Sequence, residues 1–465
     1  MPEPRTWQLT AGSAALGLVL AAAAVTAAGP WDGGQRTAER ARAAAPTTGG
    51  THHAPHPAPA APRRPAPAPS APGVLTALHA PAPAGRATDL AAALVPLLAD
   101  PGLGTLRTAS VVDTATGEQL YGEGATTPMT PASTVKIATT AAALSALGPD
   151  HRIPTTVTAT PDGSGITLTG GGDPTLDPAR LGTLATDTAR ALRTRHHTSV
   201  RLAYDTSLYR GPALHPIGPN ENLAPVVALM TREGRLDDST SGPAPRAADP
   251  ARDTATAFAE LLTEAGITVT GTPAPGPTPK TTPLARTESA PLADLVEHTL
   301  THSDNDLAEA LARQTALARR QPADFRGAEK AVHDELARLH LPVTGARFAD
   351  GSGLDRRDRV TAALLTGLLT RAADPTRPAL RPLLTGLPVG GFTGTLAGRF
   401  GTAPAGAGLV RAKTGTLTGV NTLAGTVVTP DGRLLAFAFL AGRTPSPDEA
   451  QPALDRLSAA LAGQN

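Results

Sequence analysis

The sequence predicts an α+β fold: one antiparallel sheet flanked by helices, interrupted by an inserted strand-rich module. Three observations carry this expectation. Strand-like segments stand at both ends of the folded part, Thr108 to Val112 near its start and Asn421 to Val428 and Leu434 to Leu440 near its end. Helix formers fill Ala132 to Leu147 between them, and Gly148-Pro149 stops that run. From His151 to about Glu288 the texture changes to short strands and Gly/Pro turns with some helices, which reads as an insertion.

Taken in order, the chain opens on an apolar run, Ala11 to Ala28, broken only by Gly, Ser and Thr. At helical rise it reaches about 27 Å, so residues 1–28 are expected to be a signal peptide or membrane anchor that exports the chain. Residues 29–87 are low in complexity, as in His56-Pro57-Ala58-Pro59, and read as a disordered Pro/Ala-rich linker. The main domain then starts at 88 and runs to 150. It holds a helix over Asp89 to Leu98, and a hairpin of Thr108 to Val112 with Gln119 to Gly122 about a Thr116-Gly117-Glu118 turn. The inserted module, 151–288, contains strands at Thr155 to Ala159 and Gly165 to Thr169, with helices around Leu181 to Thr194 and Ala251 to Ala265. The main domain resumes over 289–465 with helical sequence from Pro291 to Gln314. Strands follow at Leu409 to Lys413, Asn421 to Val428 and Leu434 to Leu440, and a helix over Glu449 to Ala462 closes the chain.

Composition removes whole classes of function. The 41 Lys+Arg nearly balance 40 Asp+Glu, with no basic stripe, so nucleic acid is not an expected partner. Cysteine is absent, which excludes disulfide scaffolds, thiolate metal sites and thiol catalysis. Lysine is scarce: Lys136, Lys280, Lys330 and Lys413 are the whole set. Where a positive charge is merely needed this chain mostly uses Arg, so its few Lys are candidates for places where a proton must be able to leave.

Two of those lysines fall in short motifs. Ser133-Thr134-Val135-Lys136 opens the long helical run, and residues three apart on a helix share a face. A Ser hydroxyl is a weak nucleophile until a base takes its proton, and a Lys with a lowered pKa can be that base. Ser303-Asp304-Asn305 stands at a break in helical sequence, offering a second hydroxyl and an amide. Lys413-Thr414-Gly415-Thr416 lies in the strand-rich end, where Gly permits close backbone approach and Lys and Thr can hold an anion. Each motif alone also reads as a helix cap or an edge lysine. Their conjunction is what discriminates.

With Gly170-Gly171-Gly172-Asp173-Pro174, Asp350-Gly351-Ser352-Gly353-Leu354, Leu387-Pro388-Val389 and Gly394-Thr395-Leu396, the set resembles the D-alanyl-D-alanine carboxypeptidase/endopeptidase family, peptidase family S13. These are penicillin-binding serine DD-peptidases. The resemblance spans nearly everything from Thr88 to Gly463. It implies a fold like that of serine β-lactamases and penicillin-binding transpeptidases. It also implies hydrolysis of D-Ala-D-Ala termini or cross-links of peptidoglycan stem peptides, and covalent inhibition by β-lactams. In that reading Ser133 is the nucleophile and Lys136 its base, while Ser303 relays a proton and Asn305 holds Lys136 and the substrate amide. Lys413 helps keep Lys136 deprotonated, Thr414 and Thr416 grip the terminal carboxylate, and Gly415 lets the substrate backbone approach. No metal or organic cofactor is implied. The sequence departs from the family pattern at Asp355, where Ser is expected, and in a shorter insert between Ser133 and Ser303.

Alternatives on the same site are a β-lactamase or D-amino-acid esterase, and an inactive wall-binding protein. The deacylating Glu-x-x-Leu-Asn segment of one lactamase class is not found between the first two motifs. Other residues invite different readings. His298 and His302 are spaced to share a metal, but Thr299 stands where the zinc-protease pattern needs Glu. His215 and Asp205 lack any spacing that selects them for a Ser–His–Asp triad. His52, His53 and His56 read as polar filler, and Lys280 and Lys330 as solvated surface.

Overall fold

The computed structural model describes residues 86–463, so the expected leader (1–28) and all but the end of the expected linker (29–87) lie outside the described residues. Helix α1 (Arg86–Leu98) leads into the hairpin β1 (Leu106–Asp113) and β2 (Gln119–Glu123), and a single 3-10 turn then opens α2 (Val135–Leu147). The chain next builds β3 (Pro154–Ala159), β4 (Gly165–Thr169), α3 (Pro178–Thr194) and β5 (Ser199–Asp205). A long, largely irregular stretch over residues 206–249 precedes α4 (Pro250–Glu264), the short β6 (Thr268–Val269) and β7 (Ala274–Pro275), and β8 (Pro283–Glu288). Helices α5 (Leu292–His302), α6 (Asn305–Ala318), α7 (Phe325–Arg338), α8 (Ala362–Ala373) and the one-turn α9 (Pro382–Thr385) follow. Strands β9 (Val410–Leu417), β10 (Val420–Val428) and β11 (Leu434–Gly442) and helix α10 (Pro447–Ala462) complete the fold.

The first sheet has the order β2-β1-β11-β10-β9 and every neighbour is antiparallel, as expected from strands at both ends of the domain. It is covered on both faces, which explains the unbroken apolar run of β11. Alternate side chains part to opposite sides. Ala436, Ala438 and Leu440 join Leu300, Leu311 and Leu365 of the helical layer, while Phe437, Phe439 and Ala441 join Leu94, Leu454 and Leu457. Burial of each Phe is worth about 2–3 kcal/mol. Strand β9 is left at the sheet edge, beside the start of α2.

The second sheet, β6-β5-β4-β3-β8, is mixed and has its own core, Val157, Leu168, Leu184, Val200 and Phe258 among its members. Its β4–β5 and β5–β6 pairs are parallel. Parallel neighbours need a crossover, and α3 supplies the first, so the module is more α/β in character than a purely strand-rich insert.

Two local departures matter. The α-helix proper begins at Val135, because Ala132 is held at φ 48° and Ala132–Thr134 form a 3-10 turn. Ser133 therefore precedes the helix that carries Lys136. Helix α7, expected only as a polar helical stretch about Lys330, and helix α8, for which no expectation was given, are each N-capped by a side chain, Asp324 and Thr361.

Candidate active site

The turn before α2 presents one side chain. From Pro131 to Leu144 every residue is buried except Ser133. Behind it, fully buried Lys136 donates from Nζ to Ser133 Oγ at 3.0 Å, to Asn305 Oδ1 at 2.7 Å and to the Ser352 carbonyl at 2.6 Å. An ammonium has three donors and all three are spent, so the amine is fixed in position. Asn305 begins α6, and its Nδ2 donates to the Asn222 carbonyl at 3.0 Å. Ser303 caps the C-terminus of α5 in the left-handed region at φ 59°, a conformation that breaks the helical run and lets α6 start afresh. Asp304 caps α6 by accepting from Leu307 N at 2.9 Å.

Strand β9 closes the other side. Lys413 is fully buried and donates to the Thr414 carbonyl at 2.7 Å; Thr414 Oγ1 donates to Thr395 Oγ1 at 2.8 Å, and Thr416 is exposed. A Cβ on Gly415 would lie 2.6 Å from Pro131 O and 3.1 Å from Ser133 N, so only glycine lets β9 run so close to the Ser133 amide. Gly353 makes the matching approach from the opposite loop. Its φ is +87°, and a Cβ there would strike Ala132 O. Thr422 Oγ1 ties the turn to the sheet by donating to Pro131 O at 2.7 Å.

Electrostatics set the protonation state. Burial lowers the Lys136 amine to about 8, against the pull of Asp350, Asp304, Glu309 and Asp358. Burial also drives Lys413 well below the ordinary lysine value, and the neighbouring Lys136 charge adds to this. The four acids do not all carry charge. Glu309 and Asp358 are pushed up by burial and by Asp350, while Asp350 itself resists burial through hydrogen bonds with His215 and Asp358 and falls to about 2. Asp304 likewise stays ionised against burial, stabilised by His298 and Glu233.

A second buried cluster therefore stands directly behind the Ser303-Asp304-Asn305 turn. Glu233, pushed up to about 9 by burial and by the Asp304 charge, shares its proton with Asp304. Arg235 pairs with Glu233 at 2.8 Å and Arg246 with Asp306 at 2.8 Å. Glu233, His298 and Asp304 set donor atoms within 4.8 Å of one another, as do His215, Glu309 and Asp350. The first group is neutralised by its guanidinium neighbours. In the second, Glu309 Oε1 and both Asp350 oxygens are committed to backbone N–H groups.

The structure thus gathers Ser133, Lys136 and Asn305 in direct contact, with Ser303 two residues from Asn305. Gly415 of β9 abuts Ser133, and Lys413, Thr414 and Thr416 lie on the same strand. His215 and Asp205 are not together: His215 pairs with Asp350 at 3.0 Å, and Asp205 accepts from Thr278 at 2.8 Å. His298 and His302 lie with ring centroids 4.6 Å apart and their planes tilted by 42°. Sequence reasoning weighed His215 only with Asp205 and missed its partner Asp350, and it missed Asn222, Glu233 and Glu309, because none belongs to a motif and their partners are distant in the chain. The Asp350–Gly353 stretch, expected from the residues to be a tight loop, also supplies an acceptor for Lys136.

Residues 90–242 and 233–461 match the D-Ala-D-Ala carboxypeptidase 3 (S13) family. The chain belongs to that family. It is 39% identical over 420 residues to carboxypeptidase DacB of Mycolicibacterium smegmatis, covering 86% of this chain and 90% of that protein. It is 30% identical over 445 residues to the D-alanyl-D-alanine carboxypeptidase of Actinomadura sp. strain R39, covering 76% of this chain and 81% of that one. Its fold is shared with penicillin binding protein 4 of Haemophilus influenzae, at a TM-score of 0.66 and 22% identity, over 81% of this chain and 98% of that chain. In this S13 peptidase Lys136 bonds both Ser133 and Asn305, and Ser133 is the one residue from Pro131 to Leu144 that is not buried.

Proposed function

We propose that this S13 peptidase is an exported serine DD-peptidase acting on the D-Ala-D-Ala ends, and on D-Ala-linked cross-links, of peptidoglycan stem peptides. The single observation that carries the reading is the fully buried Lys136 amine at 3.0 Å from Ser133 Oγ, lowered to about 8. Near neutral pH roughly a tenth of the enzyme then holds the free amine that nucleophilic serine chemistry needs.

In this mechanism Lys136 takes the Ser133 proton as Oγ attacks the carbonyl between two D-alanines. The arriving terminal carboxylate, gripped by Thr414 and Thr416, favours the protonated form of Lys413 and so leaves Lys136 neutral. Amide N–H groups of Ser133 and Thr416 would stabilise the developing oxyanion, each donor being worth about 3–4 kcal/mol. Ser303 would hand a proton to the departing D-Ala amine, and water would then release the acyl group from Ser133. β-Lactams, whose strained amide mimics the scissile bond, would acylate the same oxygen. A solved structure of the Haemophilus influenzae relative is a complex with a β-lactam, which supports this reading. The apolar run Ala11 to Ala28, outside the described residues, is the proposed export signal or membrane anchor.

The test is mass spectrometry after incubation with penicillin. One adduct mapping to the peptide that contains Ser133, absent from a folded Ser133→Ala variant, is expected. An adduct elsewhere, or one that survives the substitution, overturns the assignment.

A further inference from the structure

We propose that His215, on the irregular stretch of the inserted module, is a positioning residue for Lys136 and acts through the Asp350–Gly353 loop. His215 is 3% exposed, and its Nε2 lies 3.0 Å from Asp350 Oδ2. Its Nδ1 accepts from Ile217 N at 3.3 Å, so Nε2 bears the hydrogen and donates to the carboxylate. The ring packs edge-on against Phe325, with centroids 5.4 Å apart, which fixes its plane.

Asp350 then organises the loop. Its Oδ1 accepts from Gly353 N at 2.6 Å and Ser352 N at 3.1 Å, and its Oδ2 accepts from Asp355 N at 2.7 Å and Ser352 Oγ at 3.1 Å. Glu309 Oε1 adds bonds from Gly351 N at 2.9 Å and Ser352 N at 3.0 Å. With its N–H groups held from behind, the loop turns the Ser352 carbonyl toward Lys136 Nζ, 2.6 Å away. Ser133 and Asn305 are the other two acceptors of that amine, so the Ser352 carbonyl is the one backbone contact that aims Nζ. The charged and titratable groups facing His215 and Asp350 are Glu309, Asp355 and Asp358, and Arg313 stacks on Phe325 at 4.0 Å.

The module reaches the site at two further points on the same stretch. The Asn222 carbonyl receives Asn305 Nδ2, and Ala224 N donates to Asp306 Oδ1 at 2.9 Å. The stretch around His215 is itself pinned: Val226 N bonds Ala213 O at 2.8 Å, and Arg210 N bonds Ala323 O at 3.1 Å. The inserted module is therefore part of the apparatus that aims the base, beyond any part in choosing substrates. This inference rests on the reading of Lys136 as the base for Ser133.

The test compares His215→Phe, which keeps ring volume and loses the donor, with His215→Gln, whose amide NH₂ reaches the position of Nε2. Turnover of a D-Ala-D-Ala peptide is measured for both. A shift of about 1 Å in a reacting group costs roughly a hundredfold, so kcat of the Phe variant is expected to fall roughly 10- to 100-fold, with KM changed less than about threefold. His215→Gln is expected to recover kcat to within about threefold of the wild type. Equal impairment of both variants, or a Phe variant with wild-type kcat, overturns the proposal. If the Phe variant does not fold, a Gln variant impaired more than about thirtyfold overturns it equally, since a donor at that point is all the proposal requires. A wild-type enzyme that neither turns over the peptide nor forms a penicillin adduct would instead contradict the underlying reading, so the two failures are distinguishable.

Discussion

Lys136 owes its chemistry to where it is buried, and its replacement by the other cation separates charge from proton transfer. Arg in that position keeps a positive charge and most of the hydrogen bonds but cannot give up its proton. A folded Lys136→Arg protein is expected to be acylated by penicillin roughly a hundred- to ten-thousand-fold more slowly, the range of a lost general base. Stopped-flow acylation measured beside the wild type checks this. Gly353 belongs to the same scale. Alanine there meets both the φ of +87° and the Ala132 carbonyl. Strain of about 1–3 kcal/mol from the backbone alone should appear as a lower urea midpoint for Gly353→Ala, while a substitution without effect on stability would show that the loop has room.

Among elements, the α5–α6 junction is the one whose electrostatics reach furthest. Glu233 in the 232–234 turn and Asp304 at the head of α6 hold one proton between them, with Arg235 and Arg246 balancing the charge. Glu233 is raised above its ordinary value of 4.5, so the native state binds a proton that the unfolded chain has lost. The contribution of Glu233 to stability is therefore greatest below about pH 4.5 and declines as pH rises toward about 9. Glu233→Gln keeps a donor toward Asp304 without a titrating proton. Urea unfolding at pH 5, 7 and 9 is expected to show a smaller loss of stability in the variant than in the wild type. An identical pH dependence in both would mean the proton is held elsewhere. The junction was visible in the sequence as a Ser-Asp-Asn break in helical pattern, because capping is a local property. Glu233 was not, since its importance depends on burial against residues some seventy positions away.

Across the whole molecule, what the sequence disclosed follows the range of the forces involved. The hairpin, the two long apolar strands β10 and β11 and the closing helix are fixed by local periodicity and turn residues, and each was legible. The pairing of β1 with β11 was inferable only from strands standing at opposite ends of the chain. Helices α7 and α8 carried legible caps, Asp324 and Thr361, that the reading passed over. The mixed hydrogen-bonding of the second sheet was hidden, because short strands such as Gly165–Thr169 look alike whether their neighbour runs parallel or antiparallel. Ser133, Lys136 and Asn305 were legible as motif members, and scarce lysine sharpened the signal. The acids around Lys136 and the His215 contact were not, since long-range convergence leaves no local pattern.

All of this rests on an amine that is free when Ser133 needs a base. The most direct measurement is the pH dependence of the penicillin acylation rate of the wild-type enzyme between pH 6 and 9. The rate should climb with pH and level off as Lys136 passes its value of about 8. A rate that is flat across that interval, or that falls as pH rises through it, would contradict the account.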